Sequence, residues 1–227
     1  MKKTACIFLH LIILTLCLGH TAWAQGSKEA DLIVDKARIA INEIMLRHDE
    51  KVILEDLIKK SSGLVVIPGM LKAGFLVGGA YGKGVIVAHT GSQWTGPAFV
   101  YLGAGSLGLQ IGVESVDLIL VVFGQETMES LLKAKFKLGV DATIAAGPSG
   151  AQVAAATDIL LKGGIYSYSR AKGAFAGVSL EGAGMGTDFD LNRAYYESAV
   201  SPDTILYGAL EPPNTGKVLL ETLGKIK

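Results

Sequence analysis

Six residues near the middle of the chain have the spacing of a nucleotide-binding loop. They are GAGSLG, positions 103–108, and they follow the apolar run PAFVYL. In the G-x-G-x-x-G fingerprint, the glycines let the backbone approach a pyrophosphate that the next helix binds at its N-terminus. Here apolar residues alternate after the motif, at Leu109, Ile111 and Val113, which predicts a strand instead. Met128 stands about 20 positions on, where the fingerprint expects an acidic residue. We therefore exclude a dinucleotide site and interpret the glycines as bends or bulges of a curved sheet.

A second motif resembles a calcium-binding loop. The residues DFDLN, positions 188–192, match the opening of an EF-hand loop. Arg193 occupies the place of the required glycine, however, and Ala199 that of the bidentate glutamate. Asn192 is equally well explained as the cap of a short helix around Tyr195. The sequence supports at most a weak calcium site, and we expect no metal and no cofactor.

No other set of side chains indicates catalysis. After residue 24 the only histidines are His48 and His89, and two isolated histidines without cysteine make a poor zinc site. Glu114 and Asp117 have the chemistry for acid–base catalysis, but nothing in the sequence places them in one cleft, and surface positions are expected. We predict that the protein is not an enzyme.

The N-terminus has the pattern of a secretory signal peptide. Lys2 and Lys3 precede an apolar stretch at 7–18, which is too short to span a bilayer comfortably. The small-residue site AWA ends at Ala24, so we expect cleavage there and Gln25 as the new N-terminus. The signal predicts a periplasmic or secreted protein.

Removing residues 1–24 changes the chemistry that remains. Cys6 and Cys17 both lie in this segment, so the expected product has no disulfide and no reactive thiol. Acylation of Cys17 is disfavoured because Leu16 before it is not small. The full chain has 21 basic and 21 acidic residues, and losing two lysines leaves 21 − 2 = 19 against 21, a net charge of −2. This balance argues against nucleic acid as a partner.

Residues 25–62 are predicted to be helical, because apolar residues recur at steps of three and four. They are Ala30, Ile33, Ala37, Ala40 or Ile41, Ile44 and Met45, and then Ile53, Leu57 and Ile58. We expect this apolar face to pack on a sheet. The alternative is a helix that lies on a membrane.

Residues 63–227 are predicted to form the β-rich core of the same single domain. Strands are expected at 64–67, closed by Pro68-Gly69, and at 116–123, 136–145, 165–170 and 174–180. Helices are expected at 125–135, 203–207 and 216–225, and a turn at 147–150. The predicted class is α+β: N-terminal helices, then a glycine-rich, curved, mainly antiparallel sheet, sandwich- or half-barrel-like, with a few short helices.

One stretch is more specific than any of these motifs. The residues YSYSRAKGAFAGVSLEGA, 166–183, resemble the signature of the SYLF domain family. The resemblance continues in family order at 63–88, 94–122, 136–150 and 190–196, the last of which reads DLNRAYY. It therefore covers nearly all of the chain after the signal, and it places GAGSLG inside a strand block.

The resemblance implies binding to membrane lipids without catalysis. Eukaryotic members bind phosphoinositides, and some bind actin. This chain is similar to the free-standing, exported bacterial form, for which ordinary anionic phospholipids are the expected ligand and phosphoinositides and actin are not. The expected partners are therefore anionic membrane lipids, at which the protein would associate peripherally. The alternative is a structural or protein-interaction module that binds envelope proteins.

Basic side chains on a firm apolar surface would meet an anionic headgroup, each adding on the order of 1 kcal/mol. Arg170 and Lys172 are the strongest candidates, because they lie inside the signature beside Tyr168 and Phe175. The full set of candidates is Arg170, Lys172, Lys72, Lys133, Lys135 and Lys137. Each of them is otherwise explained as a solvated surface cation.

The signal peptide gives the first testable prediction. Mass spectrometry of exported protein should find Gln25, or its cyclised form, at the N-terminus. A diacylglyceryl group on Cys17 would show instead that the protein is a lipoprotein.

Overall fold

The computed structural model of the protein describes residues 25–46, 48–133, 136–147, 164–172, 180, 182–208 and 210–226. Within these residues the chain forms helices and strands in the order α1, α2, β1, β2, α3, β3, β4, β5, β6, α4, α5 and α6. The helices are α1 (25–45), α2 (His48–Lys60), α3 (Gln125–Leu131), α4 (Phe189–Tyr196), α5 (Pro202–Tyr207) and α6 (Asn214–Gly224). The strands are β1 (Gly63–Thr90), β2 (Gln93–Val122), β3 (Phe136–Lys137), β4 (Thr143–Ala146), β5 (Gly164–Lys172) and β6 (Gly184–Thr187).

The sheet is organised around β2. One edge of β2 pairs with β1 in an antiparallel ribbon that runs from Gln93 to Val122 with three register shifts. The other edge pairs with β6 at Val100–Gly103 and with β5 at Ser115–Val122, both antiparallel. Strand β3 extends the sheet beside β6, and β4 lies parallel to β5. The α+β class with N-terminal helices and a curved, mainly antiparallel sheet is confirmed.

Strand β1 bends back until its two halves touch. The amide of His89 donates to the carbonyl oxygen of Ser62 at 2.9 Å. A methyl group on Gly84 would collide with the carbonyl oxygen of Val66 in the first half of the strand. Glycine is required at this position because any side chain would push the two halves apart.

Alternate residues of the ribbon build two cores, one on each face of the sheet. Leu64 and Val66 lie in the core that α1, α2, α4 and α6 cover. Val65 and Ile67 lie in the opposite core, with side chains from α3 and α5. This period of two is the pattern of a strand that is buried on both faces.

The predicted apolar face of α1 packs on the sheet. Ala30, Val34, Ala37, Ile41 and Ile44 are each at most 2% exposed and belong to the first core. This face is therefore covered by protein in the folded chain, and the alternative in which it lies on a membrane is not what the fold shows.

The predicted end of the first strand at Pro68-Gly69 is wrong. The pair forms a bulge within β1, because the register changes between Ile67 and Met70 while pairing to β2 continues. Proline cannot donate a ladder hydrogen bond, and Gly69 takes a φ of 61°, so the two residues interrupt the ladder locally.

Two further elements are shorter than predicted. Helix α3 ends at Leu131 instead of residue 135. The strand predicted at 136–145 is split into β3 and β4 by a turn at Gly139, which has a φ of 78°. The predicted strand at 174–180 and most of the turn at 147–150 lie outside the described residues.

The close approach within β1 gives a stability prediction. Gly84→Ala should destabilise the protein by roughly 2–3 kcal/mol, because the added methyl group meets backbone that cannot move aside. Gly105→Ala is the matched control, since a methyl group there has no atom within 4 Å. Urea unfolding of the two variants measures the difference. Equal losses of stability in the two variants would show that the close contact between the two halves of β1 does not constrain the strand.

Candidate functional site

Arg170 lies at the centre of a partly buried ion cluster. It is the register partner of Asp117 on β2, and its Nη2 lies 2.6 Å from Asp117 Oδ2. The same nitrogen contacts the carboxylate of Glu43 on α1. Asp117 Oδ1 also accepts a hydrogen bond of 2.8 Å from the amide of Gly69 in the β1 bulge. Arg170 therefore joins α1, β1 and β2, and two carboxylates already balance its charge.

Lys72, the candidate in the first block, does not join Arg170 in one patch. Lys72 is paired with Glu114 of β2, at 3.8 Å between Nζ and Oε2. Glu114 and Asp117 are three positions apart, so Lys72 lies on the face of the sheet opposite Arg170. The backbone of Lys172 pairs with Ser115. The Lys172 side chain lies outside what the structure describes.

The remaining three candidates belong to another part of the sheet. Lys133 follows α3 and Lys137 lies on β3; both are exposed, and Lys135 lies outside the described residues. Strand β3 reaches β2 only through β6, at the stretch Val100–Gly103, whereas Arg170 pairs much farther along β2. Of the six sequence-predicted cations, the four whose side chains the structure describes, Arg170, Lys72, Lys133 and Lys137, thus do not form one patch.

The expected surface positions of Glu114 and Asp117 are wrong. Each is only 6% exposed. Because they point to opposite faces of β2, they do not share a cleft for acid–base chemistry. Asp117 holds the Arg170 cluster together, and Glu114 forms an ion pair with Lys72.

The residues of the EF-hand-like motif stabilise the fold. Asp188 caps α4, accepting a 3.0 Å hydrogen bond from the amide of Leu191 through Oδ1. The predicted capping role of Asn192 is wrong: its buried Oδ1 accepts a hydrogen bond of 2.8 Å from the amide of Phe99. Among the described residues there is no group of three or more side chains suited to hold a metal ion.

A second ion cluster fixes the start of α1. Lys83 of β1 lies 2.9 Å from Glu29 of α1 and 3.5 Å from Asp188 at the start of α4. The hydrogen bond to Glu29 raises the pKa of Lys83, so the lysine stays charged at neutral pH. Helix α1 is therefore tied to the sheet near both ends, by Lys83 at Glu29 and by Arg170 at Glu43.

The feature that sequence reasoning missed is a row of exposed aliphatic side chains on the outer face of α1. Leu32, Ile39 and Leu46 are 53%, 45% and 76% exposed. They are spaced seven residues apart, and this spacing keeps Leu32 and Ile39 on one side of α1, opposite its buried face. Leu46 directly follows the last residue of α1 and continues the same line, because its amide still donates to the carbonyl oxygen of Asn42. We call these three residues the outer row. The spacing was visible in the sequence, but scattered exposed aliphatic residues are common and carry no meaning alone.

Two lysines flank the outer row. Lys28 lies four residues before Leu32, and Lys36 lies between Leu32 and Ile39. Neither forms an ion pair or hydrogen bond with another described residue, whereas Arg38 pairs with Asp35. The outer face of α1 thus combines bulky aliphatic side chains with two uncompensated cations. No helix in the described part of the chain is long and apolar enough to cross a membrane.

A family model described as "Ysc84: Las17-binding protein actin regulator" matches residues 103–226, more than half of the chain. The chain belongs to the Ysc84 family. This confirms the resemblance to SYLF domains and places GAGSLG at the start of the matched region, on β2. The match also covers Arg170 and α4 to α6.

The chain is similar to "LAS seventeen-binding protein 3" of Saccharomyces cerevisiae, with 33% identity over 72% of this chain and 36% of the relative. "SH3 domain-containing YSC84-like protein 1" of Xenopus laevis is 32% identical over 77% of this chain and 52% of the relative. The chain thus spans about a third to a half of the length of these relatives. No solved structure matches it.

The Arg170 cluster gives a prediction about stability. Arg170→Met should destabilise the protein by about 3 kcal/mol, because it leaves the Asp117 carboxylate buried without a cation. Lys60→Met is the control, since its pair with Asp56 is exposed and should contribute little. Urea unfolding compares the two. If Arg170→Met is no more destabilising than Lys60→Met, Arg170 does not hold α1 to the sheet.

Proposed function

We propose that the protein is an exported, non-enzymatic, peripheral membrane protein that binds anionic phospholipid through the outer face of α1. The observation that carries the proposal is the outer row with Lys28 and Lys36 beside it. An interfacial helix sinks its apolar side chains to the level of the acyl chains while lysines reach the headgroups. The outer face of α1 has both parts of this arrangement on a helix whose other face is already fixed to the sheet.

The width of the outer row favours a bilayer over a partner helix. A coiled-coil seam needs apolar residues at two positions of each heptad. Here the positions three and four residues after Leu32 are Asp35 and Lys36, and those after Ile39 are Asn42 and Glu43. A single line of aliphatic residues makes a poor helix–helix seam, whereas a soft lipid surface accommodates it.

The names of the relatives favour a second candidate, a protein-interaction module. The yeast relative is named for binding LAS seventeen, and the Xenopus relative is named for its SH3 domain. The chain covers only part of those proteins, so their named interactions do not locate a protein-binding surface within it. In the proposed exported protein, a membrane lipid is also the partner that is always present.

Vesicle binding tests the proposal. Lys28→Gln with Lys36→Gln should weaken binding to vesicles that contain phosphatidylglycerol by about 30-fold, at roughly 1 kcal/mol per lysine near the surface. The difference should shrink in high salt, because the Debye length falls from about 10 Å at 0.1 M to about 3 Å at 1 M. Sedimentation of the exported protein, with its N-terminus checked by mass spectrometry, measures both effects.

Lys133→Gln with Lys137→Gln is the matched control. This variant removes the same amount of positive charge from the β3 region. The sequence predicted a lipid site in that region, which does not adjoin α1. We expect it to bind like the unmodified protein. A loss confined to this control variant would move the lipid site to β3, and the absence of any vesicle binding would reject the lipid function.

A further inference from the structure

Three exposed aromatic residues lie at positions next to Lys83 or to its ion-pair partner Asp188. Tyr81, Tyr101 and Phe189 are 54%, 38% and 60% exposed, and no other aromatic side chain that the structure describes is as open to solvent. Tyr101 is the register partner of Lys83, and Tyr81 lies two positions before Lys83 on the same face of the ribbon. Phe189 directly follows Asp188, which pairs with Lys83. We call these three residues the aromatic cluster.

The backbone supports the two tyrosine rings from below. A methyl group on Gly103, the register partner of Tyr81, would lie 4.0 Å from the Tyr81 ring. A methyl group on Gly186 would collide with the ring of Tyr101. The rings therefore lie against glycines of neighbouring strands and are held in place on the sheet surface.

The charge at the centre of the aromatic cluster is more than compensated. Lys83 is paired with two carboxylates, those of Glu29 and Asp188, so this surface offers rings and no uncompensated cation. Any attraction it contributes to an anionic bilayer is consequently apolar and is not weakened by salt. This distinguishes it from the outer face of α1, where Lys28 and Lys36 are unpaired.

The aromatic cluster adjoins the N-terminal end of α1 through the Lys83–Glu29 ion pair. Glu29, which contacts Lys83, lies next to Lys28 and three residues before Leu32. Tyrosine and phenylalanine side chains are suited to the interface between a bilayer and water, because each has a large apolar ring that can lie at the level of the headgroups.

We propose that the aromatic cluster is a second membrane contact, which anchors the N-terminal end of α1 in the interfacial layer of the bilayer. This proposal rests on the lipid-binding function proposed above. It assigns the apolar, salt-resistant part of the binding jointly to the outer row and to Tyr81, Tyr101 and Phe189, and the salt-sensitive part to the lysines of α1.

The test uses vesicles of phosphatidylethanolamine with phosphatidylglycerol. Tyr81→Ser with Phe189→Ser should weaken binding roughly tenfold or more, because two largely exposed rings no longer leave water. The loss should persist in high salt, unlike that of the lysine variant. Val140→Ser with Val218→Ser is the control, since it removes two exposed apolar side chains from the β3–β4 turn and α6. Circular dichroism melts confirm that each variant is folded.

A second measurement reports insertion directly. Phe189→Trp should be quenched by vesicles that carry brominated acyl chains, whereas Val140→Trp should not. If the exported protein binds vesicles but the serine variant binds equally well and Phe189→Trp is not quenched, the aromatic cluster is not a lipid anchor and only this inference fails. If the unmodified protein does not bind vesicles, both the inference and the lipid function are rejected.

Discussion

The close contact between the two halves of β1 is the constraint on which the rest of the structure depends. It exists because Gly84 has no side chain to hold the strand away from Val66. The bent ribbon that results is buried on both faces, so one face must be covered by α1, α2, α4 and α6 and the other by α3 and α5. Helix α1 thereby loses its apolar face to the core. What it can offer a partner is limited to its outer row and the residues beside it.

Ion pairs then fix how α1 lies on that face. Lys83 holds the helix at Glu29 and Arg170 holds it at Glu43, fourteen residues or about 21 Å apart at the rise of an α-helix. Arg170 was one of the two strongest lipid-site candidates in the sequence, yet it is engaged with carboxylates of the protein, as Lys83 is. Lys83 and Arg170 contribute to function by positioning the outer face of α1. The cations that remain to bind a headgroup are Lys28 and Lys36, on α1 itself.

The parts of the fold that could be predicted from the sequence are those that depend on local pattern. The 3.6-residue period of α1 reveals a helix and its buried side, and the alternation after GAGSLG reveals a strand. The Arg170 cluster could not be predicted in this way, because Asp117 lies 53 positions before Arg170 and Glu43 is farther still. Nothing near Arg170 in the sequence indicates that two carboxylates meet it. The bulge at Pro68-Gly69 was missed for a related reason, since the pairing that continues past it belongs to β2.

Hydrogen–deuterium exchange of α1, free and bound to vesicles containing phosphatidylglycerol, tests the central claim most directly. The claim is that the protein meets lipid with the outer face of a helix that stays docked. The account predicts that the amides of α1 exchange as slowly in the bound protein as in the free protein, or more slowly. Faster exchange along α1 on binding would contradict it, because it would mean that the helix leaves the sheet and presents Val34, Ile41 and Ile44 to the membrane.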